Sequence, residues 1–461
     1  MIAYVAFALL LGISIVPPPD SLVLPIRADT LTDTELTMFP PEGAQLPLCY
    51  QVDWGDGETL DWTQPSRTDY TRYHRYRRYG DFEVRVRARD PEGRVSDWSK
   101  PLVVHVTDPV LKWVFPTFEP IVASPTLDDN GNVYVGDEDG WFYSIDPKGQ
   151  LRWSYQAKDA IYAAAAIFRD NVYVPSMDSS LYCFDIQGKL RWKTFLGDEL
   201  YTAPAVDPKG NLYIGGDAGT LYALSSRGQV RWRYKTGDEI SSSPTIGVNG
   251  LIYITSDSVY CLDSRGRRRW AFGTPNGDYF FAGAVPDLAG NVYVGNEDGR
   301  IYCIGPDGRQ RWCAPVPDED EIKTEVVIAP GDTLYVGSDG YYLFRKAPGD
   351  VARLVYEVDD YLISTPAISS NRTLYFLPDD GFVYAVSATG RRVWRYEVAM
   401  EEKDLYYTSS PVIGPDGTVY VGSWDGGLYA FEGDGPPARS LWPQYRHDAQ
   451  HTGRLTRLPK R

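Results

Sequence analysis

The sequence predicts an all-β protein: an eight-bladed β-propeller of four-stranded blades, preceded by a small β-sandwich. Three observations predict it. Strand- and turn-forming residues dominate, with 34 Tyr, 13 Trp, 43 Gly and 34 Pro in 461 residues. A tryptophan-bearing segment returns about every 40 residues, at Trp113, Trp153, Trp192, Trp232, Trp270, Trp312 and Trp394. Asp-Gly pairs recur at one fixed place between two apolar runs in five of the eight repeats, where they are expected to accept the positive φ of a type I′ hairpin turn.

Residues 2–16 (IAYVAFALLLGISIV) form a short apolar stretch within a signal-like segment, 1–19. Fifteen residues fall short of a comfortable membrane span, so this segment reads as an export signal or an N-terminal anchor. No later stretch is long and apolar enough to span a bilayer. The expected location is therefore secreted or cell envelope.

Residues 27–107 read as short strands separated by turns. In FEVRVRA, apolar and charged residues alternate with period two, which buries one face and leaves the other solvated. Trp54-Gly55-Asp56-Gly57, His74, Tyr76, Tyr79-Gly80 and Asp90 complete the pattern. This segment resembles the PKD family, an immunoglobulin-like sandwich of extracellular and cell-surface proteins. The resemblance implies a spacer or adhesion module. By themselves, Trp54 and His74 read as core packing and a turn hydrogen bond.

Residues 110–435 carry the repeats, whose starts fall near Ser124, Ala164, Ala203, Ser243, Ala282, Glu325, Thr365 and Ser410. Each repeat has four strand-like runs: a small apolar one, a VYV-like one, an LYA-like one and the Trp strand. Such a unit cannot bury its faces alone, and radial repetition solves this by stacking blade on blade. Leu354 stands where the sixth repeat should carry its Trp. The strand around Trp113 precedes the first full repeat, while the eighth repeat ends at LYAF without a Trp strand. The early strand is therefore expected to complete the last blade and remove an exposed edge. Cys183, Cys261 and Cys303 share one repeat position with Ala223, Ala385 and Ala430, so they read as small buried residues rather than a disulfide framework.

The repeats resemble those of the pyrroloquinoline-quinone-like propellers, over residues 110–453. That family includes quinone dehydrogenases and noncatalytic outer-membrane assembly lipoproteins. The dehydrogenase resemblance implies a channel-bound quinone, adjacent cysteines, calcium ligands and a catalytic Asp. No two cysteines are adjacent here, and the calcium ligands do not map onto this chain. No catalytic set is expected, nor a cofactor; calcium at an acidic surface is the one ion left open.

The tail, 436–461, contains WPQYRHDAQHTGR, with His447 and His451 four apart and Asp448 between them. On a helix these would lie on one face, superficially like a zinc motif, but no third ligand follows. A capping segment is the simpler reading.

The net charge of −16 argues against nucleic acid, whose phosphates need Lys and Arg. An acidic residue precedes the first strand of each repeat: Glu119, Asp159, Asp198, Asp238, Asp278, Asp320, Asp360 and Asp404. Aromatics follow several of them: Tyr162, Tyr201, Phe280, Tyr361 and Tyr407. In a closed propeller these loops share one face. That face is the expected binding surface for a cation, a basic protein segment or a polysaccharide. The bland reading is acids that cap turns and keep the face soluble. The function expected is a noncatalytic exported scaffold; a quinone-dependent dehydrogenase and a purely structural surface protein are the alternatives. Oligomeric state is not legible.

Overall fold

A computed structural model describes residues 7–8, 21–23, 27–29, 34–40, 44, 46–57, 59, 61–76, 80–107, 110–398 and 408–455. The signal-like segment lies outside the described residues, except for Phe7 and Ala8. The chain divides into two units, Met1–Val110 and Leu111–Arg461.

The first unit holds two four-stranded sheets among its described residues. One contains Thr34–Phe39 beside Tyr70–His74; the other contains Cys49–Asp53, Gly80–Arg89 and Leu102–Thr107. The predicted alternation is visible in the burial: Val84, Val86 and Ala88 are buried, whereas Arg85, Arg87 and Arg89 are half-exposed. Trp54 is wholly buried and stacks on His74, with ring centroids 4.6 Å apart. His74 Nε2 lies 2.7 Å from Asp56 Oδ2, so the WGDG turn is pinned through its aspartate.

Among the described residues the second unit has eight four-stranded antiparallel sheets and no helix. The first sheet is built from Thr126–Leu127, Val133–Gly136, Trp141–Ile145 and Leu151–Gln156, in that order from the inside outward. The inner strand is short and wholly buried, as the crowded centre of a propeller requires. The outer strand shows every second residue to solvent, as a surface strand should. Leu111–Pro116 supplies the outer strand of the eighth sheet, pairing Trp113 with Ala430. Chain ends far apart in sequence thus share one sheet. A second closure lies at the centre, where Ser410 donates its N–H to Ser124 Oγ at 2.9 Å.

The recurring tryptophan is a latch between neighbouring sheets. Five of the indole Nε1–H groups donate to a carbonyl in the outer turn of the next sheet. Trp113, Trp153, Trp232 and Trp270 reach Pro147, Ile186, Ser264 and Pro306 at 3.1 Å, and Trp192 reaches Ser226 at 3.3 Å. The glycine of that turn lies flat on the ring: a Cβ added at Gly188 would meet Trp153 at 2.6 Å. Its φ of 89° excludes other residues a second time.

Small residues face the Trp from the third strand. Cys183, Cys261 and Cys303 pair directly with Trp192, Trp270 and Trp312, and all three thiols are free and buried. Burial pushes their pKa values up, to about 12, 12 and 11.

Two local expectations are corrected. The Asp-Gly hairpins are not type I′ turns. In the first sheet Gly140 has φ 80° and donates to Asp137 O, so a type I turn is followed by a left-handed glycine. The loop is long enough to need one positive φ, not two. In the sixth sheet Leu354 pairs with Phe344, and Arg353 faces Arg345 at the register where other sheets pair a small residue with Trp. The β-bulge there has moved to Leu343/Phe344, and this shift is what sets Arg345 opposite Arg353 rather than Leu354.

Candidate functional site

The linkers between successive sheets follow one pattern: an acid, one variable residue, a large apolar residue, then the run into the inner strand. The apolar residue anchors each linker. Ile121, Ile161, Ile240, Ile322 and Leu362 are buried against Gly422, Gly136, Gly215, Gly295 and Gly337, where any Cβ would collide. Phe280 occupies this same position and is fully buried. It is therefore a core anchor and no part of a binding surface, which corrects the sequence-based expectation.

With the anchors fixed, the preceding acids are held at the linker end of the channel. Glu119, Asp159, Asp238 and Asp320 are exposed, and Asp278 and Asp360 half-buried. Asp159, Asp238, Asp320 and Asp360 each accept the N–H of the following residue at 2.8–2.9 Å. That bond uses one carboxylate oxygen. Asp278 is bound to Thr274 in its own turn. Asp198 departs from the group: it is 6% exposed and accepts Ala218 N–H at 2.8 Å and Tyr222 Oη–H at 3.3 Å. It clamps a neighbouring turn and offers nothing to a ligand, against expectation. Asp404 and Tyr407 lie outside the described residues.

Tyr162 and Tyr201, on adjacent linkers, stack almost parallel, with centroids 6.0 Å apart and planes 3° apart. Tyr361 is exposed and meets Tyr341 edge-on at 5.3 Å. Residues not singled out in the sequence join them. Phe118, beside Glu119, is fully exposed. Tyr279 and Phe281 flank the buried Phe280, with ring centroids 4.6 Å apart. Glu199, Glu239 and Glu321 each follow a ring acid; the repeated Asp-Glu doublets were the available signal.

Crowding of carboxylates shifts their protonation. Asp379 is pushed up to about 6, first by burial, with Asp360 and Asp339 adding and a 2.7 Å bond from Thr408 opposing. Glu239 is raised by burial and by Asp217 and Asp238. Lys323 offsets part of this charge, paired with Asp339 and, at 3.0 Å, with Glu321. Among the described residues no group of three or more His, Cys, Asp or Glu is arranged to hold a metal. The linkers thus carry exposed carboxylates together with paired aromatic rings.

The opposite mouth is filled by the tail. Leu127, Ile167, Val206, Ile246, Ile328 and Ile368, near the ends of six inner strands, donate their N–H groups to Ala449, Gln450, Thr452, Gly453, Trp442 and Pro443. Ile413 donates to Gln444 Oε1. The remaining inner strand, that of the fifth sheet, carries Pro286 at this position, which has no N–H to give. Trp442 is wholly buried, with its indole N–H on Glu325 at 3.3 Å. His447 and His451 lie in no helix and have positive φ. His451 is buried against Thr126, Nδ1 to Oγ1 3.2 Å. Burial holds its pKa down to about 3, so the ring is neutral. The two histidines serve the plug.

A family model described as outer membrane protein assembly factor BamB matches residues 97–199, 178–338 and 321–436. Among solved structures, BamB from Moraxella catarrhalis is similar at 12% identity and TM-score 0.58, over 70% of this chain and 99% of that one. The computationally designed Ika8 protein is similar at 15% identity and TM-score 0.58, over 69% of this chain and 97% of that one. No curated protein matches the chain.

Proposed function

This chain belongs to the family described as outer membrane protein assembly factor BamB, and on that premise we propose that it is a noncatalytic scaffold. It presents the linker mouth to a protein partner at the cell envelope or outside the cell. We read the eight sheets as eight blades of one closed ring and the first unit as an immunoglobulin-like module of the PKD type. One observation carries the reading: the tail is bonded into one mouth, while the other displays carboxylates and aromatic pairs on anchored linkers. No linker between successive sheets carries a histidine, so the linkers themselves supply no imidazole base. A scaffold with this surface takes a basic or amphipathic protein segment, steered by charge and held by the rings.

The test is capture from envelope extracts by wild type and by a variant carrying Asp159→Asn, Asp238→Asn, Asp320→Asn and Asp360→Asn, with and without calcium. The same partner should be retained about tenfold more weakly by the variant, and more weakly in high salt. Equal retention at unchanged melting temperature would remove the linker mouth as the binding surface. The parallel rings of Tyr162 and Tyr201 favour a second reading, a sugar of a polysaccharide. Glycan binding that is lost in a Tyr162→Ala/Tyr201→Ala variant would select it.

A further inference from the structure

The junction between the fifth and sixth sheets lacks its latch. Trp312 is the next tryptophan in the series, yet its indole N–H has no hydrogen-bond partner among the described residues. The turn that should meet it is displaced: Gly349 has nothing within 4 Å of its Cβ position, whereas Gly308 at the preceding junction sits 2.7 Å from Trp270. The moved bulge at Leu343/Phe344 accounts for this, because it changes where the two outer strands of the sixth sheet end.

A groove of about 840 Å³ opens in the vacated place. Such a volume is typical of a ligand site. Trp312, Leu334, Ile328 and Leu441 form apolar walls. Lys346 lines it too, 9% exposed, with its ammonium 4.3 Å from the Trp312 ring centroid. Its hydrogen bond is a long one, 3.5 Å to Ala347 O, and it has no ion pair among the described residues. Of the three carboxylates lining the groove, Asp332 is exposed and makes no ion pair with Lys346, and the other two are committed elsewhere. Asp287 accepts from Ala289, Asn291 and Tyr293, and Asp350 is paired with Arg353. A buried cation without an anion is costly, and a ligand carboxylate would relieve it.

The five latched junctions show what the indole expects: a main-chain carbonyl at about 3 Å, with a slim backbone on the ring. We infer that this groove binds the carboxy-terminal end of a peptide whose last residue is apolar. The terminal carboxylate meets Lys346, a preceding carbonyl accepts from Trp312, and the last side chain rests on Leu334 and Ile328. The groove lies at the plugged end, so this site is independent of the linker mouth.

The experiment uses the full chain and a fluorescein-labelled hexapeptide of glycine and serine ending in phenylalanine, as free acid and as amide. Anisotropy should show the acid binding about tenfold more tightly than the amide. In Lys346→Gln the two should bind alike, and Trp312→Phe should weaken both. Because Cys183, Cys261, Cys303 and Cys49 are buried and Cys313 in the groove is exposed, alkylation of Cys313 gives a readout needing no variant. The acid peptide should slow it. Equal binding of acid and amide to wild type, no binding at all, or no protection of Cys313 overturns the inference. Phenylpropionate binding as tightly as the peptide also overturns it, by assigning the groove to a free acid.

Discussion

Ending the chain at Gly435 would remove the plug, and the structure sets the size of the effect. Seven inner-strand N–H groups lose their acceptors. They open to water, so each loss costs the net value of a hydrogen bond, ~1 kcal/mol, or about 7 kcal/mol together. Loss of the wholly buried Trp442 adds ~2–3 kcal/mol. The sum, ~10 kcal/mol, compares with a typical total stability of ~5–15 kcal/mol. The urea midpoint followed by tryptophan fluorescence should therefore fall by roughly 2 M or more, or cooperative unfolding should vanish. Trp442→Ala in the full chain should lose ~3–5 kcal/mol, an intermediate step. A truncated chain with an unchanged midpoint would refute the idea that the tail completes the inner strands.

Two further outcomes follow from the same geometry. Gly188→Ala places a Cβ 2.6 Å from Trp153 at φ 89°, so it should cost ~2–5 kcal/mol in urea unfolding. Gly277→Ala, at φ 78° with open space around it, should cost only ~1–2 kcal/mol; equal losses would remove the latch. His451 titrates near 6.5 when unfolded and near 3 when buried, so its contribution is full above pH 6.5 and is lost as pH falls toward 3. Wild type should lose up to about 1.4 kcal/mol more per pH unit in that window than His451→Asn, measured by urea midpoints at pH 7, 6, 5 and 4. Parallel slopes would mean His451 takes up its proton without disturbing the plug.

The linker surface was legible only in part. Its acids could be found because they recur at one place in every repeat, and the sequence marks recurrence plainly. Burial does not recur in the same way. Asp198 and Asp238 look equivalent in sequence, yet the first turns inward onto Ala218 N–H and the second stays in solvent. Phe280 looked like Tyr361 until its register placed it among the buried Ile and Leu anchors. Phe118 had no counterpart in the repeat and so gave no signal.

What the sequence determined by itself is whatever a local period can encode. The strand alternation, the small residues opposite each Trp, the positive-φ turn glycines and the surplus Trp113 strand each follow from contacts made again in every repeat. What only the tertiary structure decided lies where one element meets many repeats at once, or where a repeat fails. The tail satisfies seven inner strands from one short irregular segment, and no spacing within that segment reports it. Leu354 marked the sixth repeat as degenerate, but degeneracy alone does not say whether a gap collapses or stays open. The register shift that faced Arg345 with Arg353 and carried Gly349 off Trp312 settled that, because backbone pairing, not side-chain identity, determines where a turn lands.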